Sequence, residues 1–296
     1  KGPMATLTQW IDGARPRTLP AAISPILVGA GAAYQASHVV WSYALLALVV
    51  ALCLQVGVNF ANDYSDGIRG TDTARVGPVR LVGQRLARAS SVKFAALTFF
   101  FFAALAGLAL VALSGLWVMI PIGAAAILAA WFYTGGSRPY GYLGLGELFV
   151  FVFFGLVATL GTMATMTSLT RAGWWGAIGV GSLASAILVA NNLRDIPTDR
   201  ATGKQTLAVR MGDRGSRIFY LALVTVAFVM TGLTAATTPF ALLAVLAAPI
   251  LLRPVRAIVG GAHGRDLVPV LVGTGAFELA WSALFAIGLA IGHHVG

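Results

Sequence analysis

The stretch N-D-Y-S-D-G-I-R-G-T-D-T-A-R-V-G-P-V-R-L-V-G-Q, Asn62 to Gln84, follows directly on an apolar run and has a counterpart at Asn191 to Gly212. Five of the ten carboxylates lie in these two places: Asp63, Asp66 and Asp72 in the first, Asp195 and Asp199 in the second. Asn59 stands three residues before Asn62, Asp66 four after it, and Asn191, Asp195 and Asp199 form another ladder of fours. Such spacing puts each set on one face of a helix. Carboxylates stacked this closely repel unless a cation sits between them, and hard oxygen ligands with open positions suit Mg²⁺ shared with phosphates. Arg69, Arg75, Arg80, Arg138, Arg200 and Lys204 lie nearby in sequence or on the same predicted membrane side. Acids for a metal and bases for phosphate suggest a diphosphate substrate.

The surrounding chain is too apolar for a water-soluble globule: 58% of residues are hydrophobic and 10% charged. Apolar runs near the length that crosses a bilayer recur about nine times, roughly at 18–36, 40–61, 94–115, 117–134, 146–169, 173–193, 216–236, 239–259 and 267–292. They are continuous rather than alternating, so the expectation is an all-α membrane protein of about nine transmembrane helices, not a barrel. Residues 1–296 then form a single transmembrane domain, with cap loops near 62–93 and 194–215.

The net charge of +10 raises nucleic acid as a partner, but its placement follows a membrane rule. With the N-terminus cytoplasmic, 19 of the 20 Lys and Arg fall on the inner side and only Arg171 outside. This topology puts the C-terminus outside and both acidic ladders at the cytoplasmic face of the cell membrane. No cleavable signal peptide is expected ahead of the first run. Cys53, the single cysteine, excludes a disulfide within the chain and reads as a packing residue.

Several residues admit two readings. Arg15 and Arg17, before the first span, are either positive-inside anchors or contacts to an anionic substrate. Gln55 and Asn59 reach back into an apolar helix, where polar groups are costly and functional by default, so Asn59, Asn62 and Asp63 are expected at the substrate. Gly67 to Lys93 is too long for a mere connection, and Arg75 and Arg80 in it are candidate phosphate contacts, whereas Arg85 and Arg88 suit lipid. Tyr133, Tyr140 and Tyr142 are either interfacial belt residues or an aromatic wall able to stabilise a cation. Glu147 suits a helix start, Pro197 should kink the second ladder, and Lys204 is either a solvated charge or a diphosphate ligand. Glu278, near the middle of the ninth run, must be protonated or paired.

Helix ends of this kind, open to lipid and capped by basic loops, suit ionisation of an allylic diphosphate and alkylation of an electron-rich acceptor. Here the sequence resembles the UbiA superfamily of intramembrane aromatic prenyltransferases, in its menaquinone-pathway branch. The resemblance is carried by A-R-P-R-T-L-P-A-A-I-S-P at 14–25, N-D-Y-S-D-G-I-R-G-T-D at 62–72, R-V-G-P-V-R-L-V at 75–82 and N-N-L-R-D-I-P-T-D-R-A-T-G-K-Q-T-L-A at 191–208. It implies a bundle around a lipid-accessible cavity, with Mg²⁺ and polyprenyl diphosphate held by Asn62, Asp66, Asp195 and Asp199. It implies also an aromatic acceptor, 1,4-dihydroxy-2-naphthoate, prenylated with loss of its carboxylate, with 4-hydroxybenzoate as the alternative. The superfamily's third acid falls at Gly70 here and Asp72 follows two later, as in the menaquinone branch, which leaves Asp72 as metal ligand or base. Two other classes fit less well. The pattern Asp63-x-x-Asp66-Gly67 opens a CDP-alcohol phosphatidyltransferase motif, but the remainder of that motif is missing. A transporter of lipid phosphates would hold its carboxylates near mid-membrane, not at one face.

Overall fold

The computed structural model describes residues 5–70 and 79–295, and every regular element among them is helical. Helix α1, Leu7–Ala14, starts from a capping box in which Thr6 and Gln9 satisfy each other's main-chain N–H groups. It is followed by α2 (Pro20–Ala36), α3 (Trp41–Arg69), α4 (Ala89–Ser114) and α5 (Met119–Phe132). The second half holds α6 (Gly146–Ala164), α7 (Arg171–Ala201), α8 (Leu207–Ala235), α9 (Pro239–Val259) and α10 (Val268–Val295).

Among the described residues, seven helices are long and apolar enough to cross a membrane. The stretch before Ala36 adds a broken span, bent by 46° between Leu7–Thr18 and Pro20–Ala36. The run expected at 117–134 condenses to α5, which at 14 residues is shorter than a bilayer-spanning helix. Leu116 to Val118 form a turn after Gly115, and the chain turns again beyond Phe132, so apolar composition outruns the helix at both ends. The expected cap loops also begin later than their sequence suggested: α3 remains helical through Arg69 and α7 through Ala201, keeping both acidic ladders on rigid helix. Pro197 lies within continuous α7; the backbone break falls instead in α8, at Gly212 with φ 72° and ψ −179°.

Hydrocarbon supplies no hydrophobic drive between helices, so close packing of small residues holds the bundle together. The clearest case is the crossing of α6 and α7, where a Cβ on Gly155 would lie 2.5 Å from the Gly181 Cα. Around it α6 widens into a π-helical stretch, Phe151–Val157, of the kind that marks functional sites. The main core joins α2 and the end of α6 to α7–α10: Trp281 stacks on Phe285 at 4.9 Å and satisfies its indole N–H on Thr231 Oγ1 at 3.0 Å. A second core centred on Phe60, Leu81 and Phe100 joins α3 to α4 and the loop between them. A cavity of about 560 Å³ remains, lined mostly by residues of α2 to α7.

Candidate active site

The cavity is apolar along most of its wall, with Ile26, Leu54, Ala103, Ile127, Phe153 and Leu188 coming from six different helices. Polar residues gather at one end, where α3 and α7 deliver their ladders: Asn59, Asn62 and Asp66 from α3, Asn191 and Asp199 from α7. Arg15, Arg17, Arg80 and Lys204 line the same end. The two ladders, 129 residues apart from Asn62 to Asn191, thus meet at a single site.

Asp66 is the best-defined member. It is 2% exposed, accepts a 2.5 Å hydrogen bond from Tyr142 Oη on Oδ1 and pairs with Lys204 Nζ at 3.3 Å through Oδ2. The Lys204 ammonium also lies 4.4 Å from the centre of the Tyr142 ring, a cation–π contact. Gln205 N–H donates to the Tyr142 carbonyl at 2.9 Å, and Arg69 donates to the carbonyls of Thr134 and Gly136. Through these bonds the 133–145 connection and the chain after α7 are stitched to the end of α3. Thr134 Oγ1 completes the seam by donating to Asn62 Oδ1 at 2.8 Å.

The approach to α2 is built with comparable care. Arg15 closes α1 in the left-handed region, φ 55°, which is uncommon outside glycine and clusters at functional sites. Pro16–Thr18 then forms a tight turn in which Thr18 Oγ1 donates to the Arg15 carbonyl at 2.8 Å. Asn59 Nδ2 donates to both Ala14 O and Thr18 Oγ1 at 2.9 Å, and Gln55 Nε2 reaches Thr18 Oγ1 at 3.0 Å. The polar residues deep in α3 therefore brace the turn that carries Arg15 and Arg17 to the cavity, with Arg17 remaining exposed.

Three expected site residues occupy other roles. Asp63 is fully buried and does not line the cavity; its carboxylate accepts from Leu81 N–H at 2.6 Å and Val82 N–H at 3.2 Å, anchoring the loop before α4. On a helix, a residue adjacent to a ladder points away from that ladder's face. Asp195 also stands outside the lining: Arg194 grips it with two hydrogen bonds, 2.7 Å to Oδ1 and 2.8 Å to Oδ2, and reaches Asn191 Oδ1 at 2.8 Å. Arg138 is exposed on the 133–145 connection and does not reach the cavity. Asp72 and Arg75 lie outside the described residues.

Tyr133 and Tyr140 line the cavity as part of an aromatic wall. Their rings meet edge to face at 5.5 Å, and Tyr140 stacks on Phe149 at 4.0 Å. Burial pushes the Tyr140 phenol well above its ordinary range, and its hydroxyl donates to Ala129 O at 2.7 Å, so it serves as a neutral wall residue. Sequence spacing did not single out Thr18, Thr134 or Asn192 as cavity residues, and it offered Tyr142 as a belt or wall aromatic, not as a partner of Asp66. Tyr142 alone carried a signal, as the last aromatic of R-P-Y-G-Y, though nothing in that run distinguishes it from Tyr140.

Membrane-length helices around an apolar cavity, with acids and cations gathered at one end, define a polytopic membrane protein shaped for an amphiphile with an anionic head. The chain belongs to the UbiA prenyltransferase family, which it matches over residues 22–266. It is 53% identical over 292 residues to the 1,4-dihydroxy-2-naphthoate octaprenyltransferase of Mycobacterium tuberculosis, covering 98% of this chain and 99% of that protein. It is 50% identical over 291 residues to the Mycobacterium leprae protein of the same name, covering 97% and 98%. Among solved structures, an apo UbiA homologue from Aeropyrum pernix K1 superposes with a TM-score of 0.67 at 14% identity, covering 92% of this chain and 97% of that one. A homologue from Archaeoglobus fulgidus bound to DMAPP and Mg²⁺ gives 0.63 at 12% identity, covering 94% and 99%.

Proposed function

We propose that the chain transfers a polyprenyl group from polyprenyl diphosphate to 1,4-dihydroxy-2-naphthoate, releasing pyrophosphate and the acceptor's carboxylate as carbon dioxide, in a Mg²⁺-dependent reaction. The observation that carries this reading is the placement of Asp66, Asp199, Asn62 and Lys204 together at the polar end of an otherwise apolar cavity. A prenyl chain suits the apolar wall; a diphosphate suits the polar end.

The donor set fits the metal. No three His, Cys, Asp or Glu side chains among the described residues group as a metal site by themselves. Hard oxygen ligands from two facing helices, with the rest of the shell from phosphate and water, are what Mg²⁺ takes. Asp66 and Asp199 would hold it with Asn62, and Asp195 stands on the same α7 ladder behind its pair with Arg194. Bound there, Mg²⁺ would draw charge from the departing diphosphate.

The chain's own groups supply the remainder. Lys204, Arg80 and Arg17 face the diphosphate, and cations placed before reaction need no rearrangement as negative charge grows on the leaving group. Tyr133 and Tyr140 present ring faces and edges to the allylic carbon and acceptor, while the surrounding apolar wall keeps water from the cation left behind. From the sequence we also assign Arg75 to phosphate and Asp72 to the metal or to the acceptor hydroxyl. The topology proposed with this function has nine spans counting α5, a cytoplasmic N-terminus, an outer C-terminus and the site at the cytoplasmic face of the cell membrane.

The test is turnover in detergent with a long-chain prenyl diphosphate and Mg²⁺, offering 1,4-dihydroxy-2-naphthoate and 4-hydroxybenzoate together and identifying products by mass. Prenylated naphthoquinol formed with loss of carbon dioxide supports the reading. Prenylated hydroxybenzoate moves the acceptor, and diphosphate binding without product overturns the enzyme.

A further inference from the structure

The acids and cations at the head of the cavity leave Glu147 without a task. Glu147 is 4% exposed in the first turn of α6 and is not part of the cavity lining. Its Oε1 accepts a 2.8 Å hydrogen bond from Asn192 Nδ2, and its main-chain carbonyl accepts from Ser185 Oγ at 3.1 Å. A carboxyl group inside a membrane bundle is costly and is kept where it does something.

What it does is legible in its partner. Asn192, unlike Glu147, lines the cavity. A side-chain amide has one donor end and one acceptor end, and Asn192 gives its NH₂ end to Glu147 Oε1. The end that remains for the cavity is the carbonyl oxygen, an acceptor. An unpinned asparagine could flip and offer either end; this one reads hydroxyl donors.

Its position suits a ring more than a diphosphate or a prenyl tail. Asn192 is one helical turn beyond Leu188 in the apolar wall and one turn before Asp195. Gly146, next to Glu147, packs so tightly on the aromatic wall that a Cβ there would lie 3.2 Å from Tyr133 Cε2 and 3.3 Å from Leu188 Cδ2. Asn192, hydrogen-bonded to the neighbour of Gly146 and one turn from Leu188, thus lines the cavity on the side where Tyr133 packs, and Tyr140 lines the same cavity.

We infer that Glu147 is a positioning residue that pins Asn192 so that Asn192 Oδ1 receives the hydroxyl hydrogen of an aromatic acceptor seated against Tyr133 and Tyr140. This rests on the prenyl-transfer reading and adds the means by which a hydroxylated ring is selected. Glu147 itself touches no substrate.

The test compares binding of 4-hydroxy-2-naphthoate and 2-naphthoate to the full-length detergent-solubilised protein by tryptophan fluorescence, alongside KM values for both substrates. The first probe keeps a hydroxyl remote from its own carboxylate, so that hydroxyl is free to donate. Wild type should prefer it by about tenfold or more, the worth of one hydrogen bond plus the penalty of leaving Asn192 unpaired. Glu147→Leu should lose this preference and raise the acceptor KM about tenfold while leaving the prenyl diphosphate KM unchanged. Glu147→Gln, whose side-chain oxygen still accepts from Asn192, should restore both; a merely structural defect would not spare one substrate or be rescued this way. Asn192→Leu should also lose the preference, which tests the same contact if Glu147→Leu fails to fold. Preference retained in Glu147→Leu or Asn192→Leu, in an enzyme that prenylates the acceptor, overturns this assignment alone. Wild-type protein that prenylates no aromatic ring overturns the reaction on which it rests.

Discussion

Tyr142 donates a 2.5 Å hydrogen bond to Asp66 Oδ1 while its ring lies beneath the Lys204 ammonium, which itself stands 3.3 Å from Asp66 Oδ2. Each Asp66 oxygen is thereby addressed from a different connection, one before α6 and one after α7. The carboxylate that the proposed reaction needs most is oriented by two groups that the helix carrying it does not supply.

Tyr142→Phe keeps the ring under Lys204 and removes only the hydrogen bond. A hydrogen bond to a charged group is worth about 1.5–3 kcal/mol, so the variant should lose about ten- to a hundredfold in kcat/KM for prenyl diphosphate. The protein's melting temperature should change little. Steady-state kinetics with saturating acceptor check this, and wild-type kinetics would mean that Asp66 needs no such orientation.

Asp63→Ala should act on the loop and not on chemistry. Two main-chain donors, Leu81 and Val82, lose their acceptor, and leaving buried donors unsatisfied costs about 1–3 kcal/mol each. Residues 79–88 should become sensitive to limited proteolysis, and the KM for prenyl diphosphate should rise because Arg80 is carried by that segment. Proteolysis unchanged from wild type would remove Asp63 as the anchor.

Arg194 and Asp195 should be separable from one another only at a cost. Arg194→Met takes two hydrogen bonds from the buried Asp195 carboxylate, and removing one partner of a buried ion pair typically destabilises by about 3–5 kcal/mol, whereas replacing both by apolar residues is often neutral. The melting temperature of Arg194→Met/Asp195→Leu should therefore lie above that of Arg194→Met alone. The double variant should still lose turnover if Asp195 contributes to metal binding on its ladder.

Glu278 is fully buried in α10, and neither of its carboxyl oxygens has a hydrogen-bond partner among the described residues. Glu278→Met, similar in length and free of that desolvation cost, should raise the melting temperature and leave turnover intact. Loss of activity in a well-folded variant would assign Glu278 a role in the reaction.

The parts of the site that sequence revealed are those fixed by helical period. Asn62 and Asp66, and Asn191 and Asp199, share faces because residues four or eight apart must do so on a helix, and both pairs reach the cavity. Asp63 was grouped with them as an acid beside a ladder, and Asp195 because it stands on one, four residues from Asn191 and four from Asp199. One is deflected by the 100° step between neighbouring residues and the other by an arginine at its side, and only packing reveals either. Tyr142 and Tyr140 were indistinguishable for a similar reason: two residues apart in a tight turn, one points to Asp66 and the other to Ala129. The helical class and most spans followed from apolar length, but α5 did not, because turn residues such as Trp117 and Tyr133 are as apolar as the helix they flank.

The central claim, a carboxylate pair across the cavity that holds a metal-bound diphosphate, is tested most directly by pyrophosphate release from Asp66→Ala and Asp199→Ala as Mg²⁺ is titrated. Both variants should stay folded in detergent, release no pyrophosphate above background at any Mg²⁺ concentration, and lose metal-dependent binding of prenyl diphosphate. Wild-type release by either variant, or undiminished release by the unmutated protein in excess chelator, would contradict the account.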